Sequence, residues 1–207
     1  MESFSVHDVL NFLIKGGPVM APLFVCSIIA LAVVIERFLF WRRISSRQAE
    51  EELLALVERG EINKASDLAR QADSPLARVL ASGLAHRNPA PTKAMEVTAQ
   101  KEVSILKKRL TILDTIITLA PLLGLLGTVV GMIGSFDIMS ASGMGQPHAV
   151  TGGVAEALIA TATGLLIAIL TLIPYNYFSN RAEHEMEQIE YFASRLELLL
   201  GASEERK

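Results

Sequence analysis

The sequence predicts an all-α membrane protein, with three transmembrane helices and long helical extensions on the cytoplasmic side. Three observations carry that expectation. Gly17–Ile35, Thr115–Phe136 and Ala157–Phe178 contain no Asp, Glu, Lys or Arg, so all 41 charged residues of the 207 fall outside them. These runs of 19, 22 and 22 residues match a bilayer core, which about 20 helical residues cross. A soluble domain would instead mix apolar and polar residues at helical or strand periods, so a soluble enzyme is not expected. The intervening segments read as helices, and lysine and arginine are distributed unequally among them.

Taken in order, residues 1–16 form an outer N-terminal segment and 17–41 the first span. That run follows Glu2 and Asp8 and lacks a basic leader, so it is expected to be a retained span rather than a secretory signal. Leu23, Phe24, Val25, Ile28, Ile29, Leu31, Val33, Val34 and Ile35 make it bulky all round, as suits a lipid-facing helix. Arg37 and Trp41 stand where basic and aromatic side chains anchor helices at the membrane edge, and Glu36 can pair with a neighbouring base. Cys26 is the single cysteine, so one chain can form neither a disulfide framework nor a cysteine-rich metal site.

Residues 42–111 form a helical insert. Glu50–Arg59 is expected to be helical, with Gly60 as its stop. Ser74 and Pro75 provide a capping serine and a first-turn proline. Asn88-Pro89-Ala90-Pro91 breaks the chain, and Thr92 is then expected to cap one helix running unbroken over Thr92–Ala120 into the second span, 112–138. An outer loop, 139–150, leads to the third span, 151–178. The tail, 179–207, repeats apolar residues at helical spacing (Met186, Ile189, Phe192, Leu196, Leu199 and Leu200). That stripe reads first as packing against the other cytoplasmic helices; a membrane-surface helix is the other reading.

Basic residues set the orientation. Arg37, Arg42, Arg43 and Arg47 follow span one; Lys101, Lys107, Lys108 and Arg109 precede span two; Arg181 follows span three. The N-terminal segment has only Lys15, and Asp137–Gly153 has no Lys or Arg. The N-terminus and the 139–150 loop are therefore expected outside, the insert and tail inside. There is no polybasic tract to suggest nucleic acid.

Spans two and three carry small residues in stripes. Gly124, Gly127, Gly131 and Gly134 follow a 3-4-3 spacing, and Gly153, Ala157, Ala160, Gly164, Ala168 and Thr171 form a similar face in span three. Such faces let backbones approach closely in lipid, where no hydrophobic effect drives helices together. The two spans are expected to pack through them. Thr128, with Ser135 nearby, borders the first stripe, and Thr161 borders the second. Each threonine lies eight residues from the outer end of its run, counted from Phe136 and Gly153, about 12 Å at 1.5 Å per residue. They are expected at one depth, although membrane threonines often only bond their own backbone.

Glu156 lies about one turn inside the outer end of span three, where an ionised carboxylate costs roughly 2.5 kcal/mol or more unless hydrated, paired or protonated. No Lys, Arg or His lies within the three charge-free runs to pair with it. It reads as facing a water-filled or subunit-lined path, or as an interfacial carboxylate reaching outer water. Asp114 can be read as part of such a path or as a partner for the bases at Lys107, Lys108 and Arg109. Phosphate-loop, dinucleotide and nucleophile-elbow motifs are absent, and His7, His86, His148 and His184 show no ligand spacing. No enzymatic activity, cofactor or metal is expected.

The segments Ala120-Pro-Leu-Leu-Gly-Leu-Leu-Gly-Thr-Val-Val-Gly-Met-Ile133 and Val154-Ala-Glu-Ala-Leu-Ile-Ala-Thr-Ala-Thr-Gly-Leu165, with Tyr175-Asn176 closing the third span, resemble the ExbB/TolQ (MotA/TolQ/ExbB) family of inner-membrane proton-channel subunits. The resemblance implies a homopentamer in the bacterial inner membrane, with periplasmic N-terminus and cytoplasmic C-terminus. Its lumen, lined by spans two and three, would hold the helices of an ExbD/TolR-like single-span subunit, and a TonB/TolA-like transducer would take up the work. It places Thr128 and Thr161 at lumen-facing threonine positions and Glu156 at the acidic position, with Thr163, Ser135 and Asp114 as further path candidates. One departure is visible: Leu170 stands where the family commonly has proline, and Pro174 comes later, so any kink would be displaced. A threonine hydroxyl cannot hold a proton, and Glu156 covers only the outer part of the path. The proton carrier at the membrane centre would then come from a partner carboxylate. The competing expectation is a non-conducting scaffold that only clamps partner helices; it would not need Glu156 or the threonines.

Overall fold

The computed structural model describes residues 16–44, 48–72, 74–88, 90–142 and 147–204, and among them the backbone is helix and turn, without strand. In chain order the helices are α1 (Met20–Arg43), α2 (Gln48–Glu58), α3 (Ile62–Gln71), α4 (Pro75–Ala85), α5 (Pro91–Leu106), α6 (Leu110–Ser142) and α7 (Pro147–Glu204). Residues 1–15 of the expected N-terminal segment and 143–146 of the expected outer loop lie outside the described residues. Three stretches, Met20–Arg42, Leu110–Ser140 and Thr151–Gly201, are long and apolar enough to cross a bilayer. The chain is a multi-pass membrane protein, all-helical as the sequence predicts.

The helices extend further than charge-free runs alone suggest. α6 continues past residue 138 to Ser142, and α7 begins at Pro147, so most of the expected 139–150 loop is helical. Span three and the tail form one helix of 58 residues, since nothing between Phe178 and Leu200 breaks it. Pro174 lies inside α7; its missing N–H leaves the Leu170 carbonyl without its usual partner one turn earlier.

The described residues fall into two compact units, one comprising those up to Ile35 with Arg109–Asn176, the other Glu36–Lys108 with Tyr177 onward. In the first, the antiparallel hairpin of α6 and α7 packs backbone against backbone along its small-residue faces. α1 is less uniform than its composition suggests. Met20, Leu23, Cys26, Ala30 and Val33 are buried in a stripe that Val19 of the preceding turn continues, whereas Phe24, Val25, Ile28, Leu31 and Ile35 are exposed. A shallow cleft of about 200 Å³ separates Ser27, Ala30, Leu31 and Val34 of α1 from Ile167, Leu170, Thr171 and Pro174 of α7.

The second unit is a conventional helical core. α2 ends in a turn in which Gly60 is left-handed (φ 76°), with Gly60 N–H donating to Val57 O and Glu61 N–H to Leu56 O, both 2.9 Å. That pattern satisfies two orphan carbonyls, as expected of a glycine stop. Ser74 caps α4, its Oγ accepting from Ala77 N–H at 3.0 Å, with Pro75 at the first turn. Leu76, Val79, Leu80 and Leu84 of α4 are buried with Leu53, Leu54 and Val57 of α2. The tail stripe joins this core: Ile189, Phe192, Leu196 and Leu200 are all buried, the packing reading rather than the membrane-surface one. Across α4 and α5, Arg78 grips the buried Glu102 through two bonds of 2.8 and 2.9 Å.

Two local expectations need correction. The helix over Thr92–Ala120 is interrupted: α5 ends at Leu106, Arg109 is left-handed (φ 67°), and α6 starts at Leu110. No glycine or proline marks this break; three consecutive basic residues stand where the chain leaves the helix. Nor does Thr92 cap α5. Pro91 is the first helical residue and Ala90 takes the cap position without a side-chain bond; the Thr92 hydroxyl donates instead to Glu197 at 2.8 Å.

Candidate functional site

The seam between α6 and α7 is built by absent side chains. A Cβ on Gly124 would lie 3.0 Å from Thr161 Cα and 3.1 Å from Ala160 O; on Gly127, 2.5 Å from Ala160 Cβ; on Gly131, 2.8 Å from Gly153 O. A Cβ on Gly164 would run into the Ala120 carbonyl. Ala157, Ala160 and Ala168 are buried. Gly134, expected on the same face, is exposed with nothing near it. At roughly 100° per residue it sits at the edge of the stripe, and Ser135, one turn beyond Gly131, takes its place in the seam. Ser135 is 1% exposed, and its Oγ fills the space that a side chain at Gly153 would need.

The hydroxyls along this seam behave differently from one another. Ser135 Oγ donates to Gly131 O at 2.9 Å, Thr163 Oγ1 to Ile159 O at 2.8 Å and Thr128 Oγ1 to Leu125 O at 2.6 Å, each within its own helix. Thr161 reaches across, its Oγ1 donating to Gly124 O at 2.9 Å. Thr161 therefore stands opposite Gly124. Thr128 lies four residues further along α6, about 6 Å at 1.5 Å per residue, so the two threonines do not face each other at one depth. The charge-free runs misjudge the register because α6 and α7 both continue past them. The Thr128, Thr161 and Thr163 hydroxyls keep lone pairs able to accept a further hydrogen bond.

Glu156 is half-buried one turn before Ala160. Among the described residues no ion pair reaches it. Its carboxylate lies instead against Gly17, in the turn that leads into α1: Cβ on Gly17 would overlap Glu156 Oε1 and lie 2.7 Å from its Cδ. Gly17 is left-handed (φ 73°). Sequence reasoning missed this neighbour, although Gly16-Gly17-Pro18 ahead of a bulky span was the available signal. Asp114 is exposed on α6 and is not brought to the seam.

The two expected anchors, Arg37 and Trp41, are both buried within the second unit. Arg37 is 2% exposed. It pairs with Glu36 through bonds of 2.7 and 2.8 Å, lies over the Phe40 ring, and donates to Ile105 O in the last turn of α5 at 3.3 Å. There it shares the Ile105 carbonyl with Lys108 N–H, which bonds it at 3.3 Å in the turn that ends α5. Trp41 is buried too, with the Arg181 guanidinium 5.2 Å above its ring.

Residues 71–191 match the family described as the MotA/TolQ/ExbB proton channel family, a stretch that includes α6 and α7 as far as residue 191, with Thr128, Glu156 and Thr161. The chain belongs to this family. Over 191 residues it is 37% identical to a Synechocystis protein named for biopolymer transport, ExbB-like 3, covering 89% of this chain and 91% of that one. It is 30% identical over 215 residues to the Tol-Pal system protein TolQ of Pseudomonas aeruginosa, covering 94% and 93%. The family supports a general role in energy transduction. α1 and Gly17 lie ahead of the family match, which begins at residue 71.

Proposed function

We propose that this protein is the channel-forming subunit of a proton-driven motor in the bacterial inner membrane, with its N-terminus periplasmic and its C-terminus cytoplasmic. Five copies would surround the helices of an ExbD/TolR-like single-span subunit, and the assembly would drive a TonB/TolA-like transducer, in nutrient uptake or envelope maintenance. No covalent bond is made or broken by this chain; it is not an enzyme in this reading. The observation that carries it is Glu156, a half-buried carboxylate in an apolar span, beside a seam of hydroxyls and without an ion pair among the described residues. A carboxylate there is costly and needs water, a proton or a partner to offset it. Glu156 admits or orients the proton, Thr128 and Thr161 guide it by hydrogen bonding, and a carboxylate of the partner carries it past the membrane centre. Ser135, Thr163 and Asp114 are further candidates: Ser135 and Thr163, like Thr128, bond their own helices, and Asp114 is exposed away from the seam. Each proton crossing supplies about 2.3 kcal/mol per 100 mV.

The second reading, a non-conducting clamp, has one observation in its favour: Thr161 uses its hydroxyl to join α7 to α6. Proton flux into liposomes carrying this protein with and without its partner separates the two. Under the channel reading, Glu156→Ala and Thr161→Val both assemble normally and lose flux. Full proton-motive-force-dependent activity in both variants, with normal assembly, overturns it.

A further inference from the structure

The turn at Gly16–Val19 does more than start a lipid-facing helix. Met20 N–H bonds Gly17 O at 3.1 Å and Ala21 N–H bonds Pro18 O at 3.3 Å, so the turn closes tightly onto the first residues of α1. It packs on the Glu156–Ala160 stretch of α7 and on α6: a Cβ on Gly16 would lie 3.1 Å from Ile159 Cγ2, and Val19 Cβ lies 3.7 Å from the place a Cβ on Gly127 would take. Gly17 is its centre. The residue is left-handed, a conformation L side chains adopt rarely, and the volume its side chain would fill is occupied by the Glu156 carboxylate. The contact also puts that carboxylate by the start of α1, the positive end of the helix dipole.

We propose that Gly17 is a positioning residue for proton transfer: the turn before span one is the seat that holds the Glu156 carboxylate, and Gly17 keeps it open. The first span thereby becomes part of the entrance to the path. This inference rests on the proton-path reading of Glu156 given above.

Flux in liposomes with the partner, together with yield of the assembled complex, tests it. Gly17→Ala puts a methyl group into the carboxylate's place and lowers flux on the order of 10- to 100-fold, the cost of displacing a reacting group by about 1 Å, at unchanged yield. Gly17→Asn, which tolerates the left-handed backbone but still carries a Cβ, loses as much; recovery with asparagine assigns the loss to backbone strain and overturns the seat. Glu156→Asp lowers flux in the parent protein but raises it in Gly17→Ala, because the shorter side chain clears the added methyl. Strictly additive losses overturn the proposal. A readout independent of conduction is disulfide formation between Gly17→Cys and Glu156→Cys in a Cys26→Ala background: a cross-link within one chain supports the seat, and its absence under oxidation overturns it. If Glu156→Gln conducts like the parent while the cross-link forms, the contact stands and the proton-path reading, with the positioning role, fails.

Discussion

The hydroxyl of Thr161 joins two helices and remains able to accept a hydrogen bond, so its structural and conducting roles can be separated by magnitude. Hydrogen bonds between membrane helices contribute about 0.6 kcal/mol on average. Thr161→Val is therefore expected to destabilise the folded protein by less than about 1 kcal/mol in detergent unfolding. A loss of flux of tenfold or more in the same variant would exceed what that small change explains. The Arg78–Glu102 pair is an opposite case. Glu102 is 3% exposed, whereas the Arg78 side chain is 41% exposed. Removing the arginine leaves a buried carboxylate uncompensated; removing the carboxylate leaves an arginine that water can reach. Arg78→Ala should lower the unfolding free energy more than Glu102→Ala does, by an amount on the order of 2 kcal/mol after allowance for solvent at Arg78. Equal effects would show that Glu102 finds other partners or water.

At the level of elements, the small-residue seam depends on where backbone rather than side chain is the neighbour. Gly131 faces the Gly153 carbonyl, which cannot swing aside, while Gly134 faces open space within the chain. Gly131→Ala should loosen the α6–α7 hairpin and lower thermal stability; Gly134→Ala should leave the isolated subunit's stability unchanged or raise it, since alanine favours helix over glycine by about 1 kcal/mol. The left-handed Arg109 offers a second comparison. A β-branched residue is least tolerant of that backbone, so Arg109→Val should be less stable than Arg109→Gly by about 1–2 kcal/mol. Equal stabilities would mean that α5 and α6 merge across the break without cost.

For the whole molecule, the question is what covers the apolar surface of the spans. Leu122, Leu125, Val129 and Ile133 of α6, and Leu158, Leu165, Ile169 and Ile173 of α7, are exposed at helical spacing. So are Phe24, Ile28 and Leu31 of α1. Lipid can cover all of these, and so can neighbouring copies. The pentamer proposal divides them: the inner spans meet other protein helices and much of α1 meets lipid. Tryptophan at Phe24 should then leave the oligomer intact, whereas tryptophan at Leu125 or Ile173 should disrupt it, as read by native mass in mild detergent. Tolerance at every position would argue for lipid on all faces and against the packed bundle.

Much of this architecture was legible in the chain because a bilayer imposes a strong rule. About 20 uncharged residues must stand together to cross it, and glycine, alanine and serine must line the side where backbones meet. The spans, the seam residues Gly124, Gly127, Gly131, Ala157 and Gly164, the serine cap at Ser74 and the glycine stop at Gly60 all follow from composition and short-range spacing. Tertiary structure decided what spacing cannot express. The register that sets Thr161 against Gly124, the burial of Arg37 at the end of α5, the break at Arg109 and the seat of Glu156 on Gly17 each depend on how one helix slides or turns against another. That choice is made by interlocking surfaces far apart in sequence, where a shift of one residue leaves the local pattern intact and changes every contact.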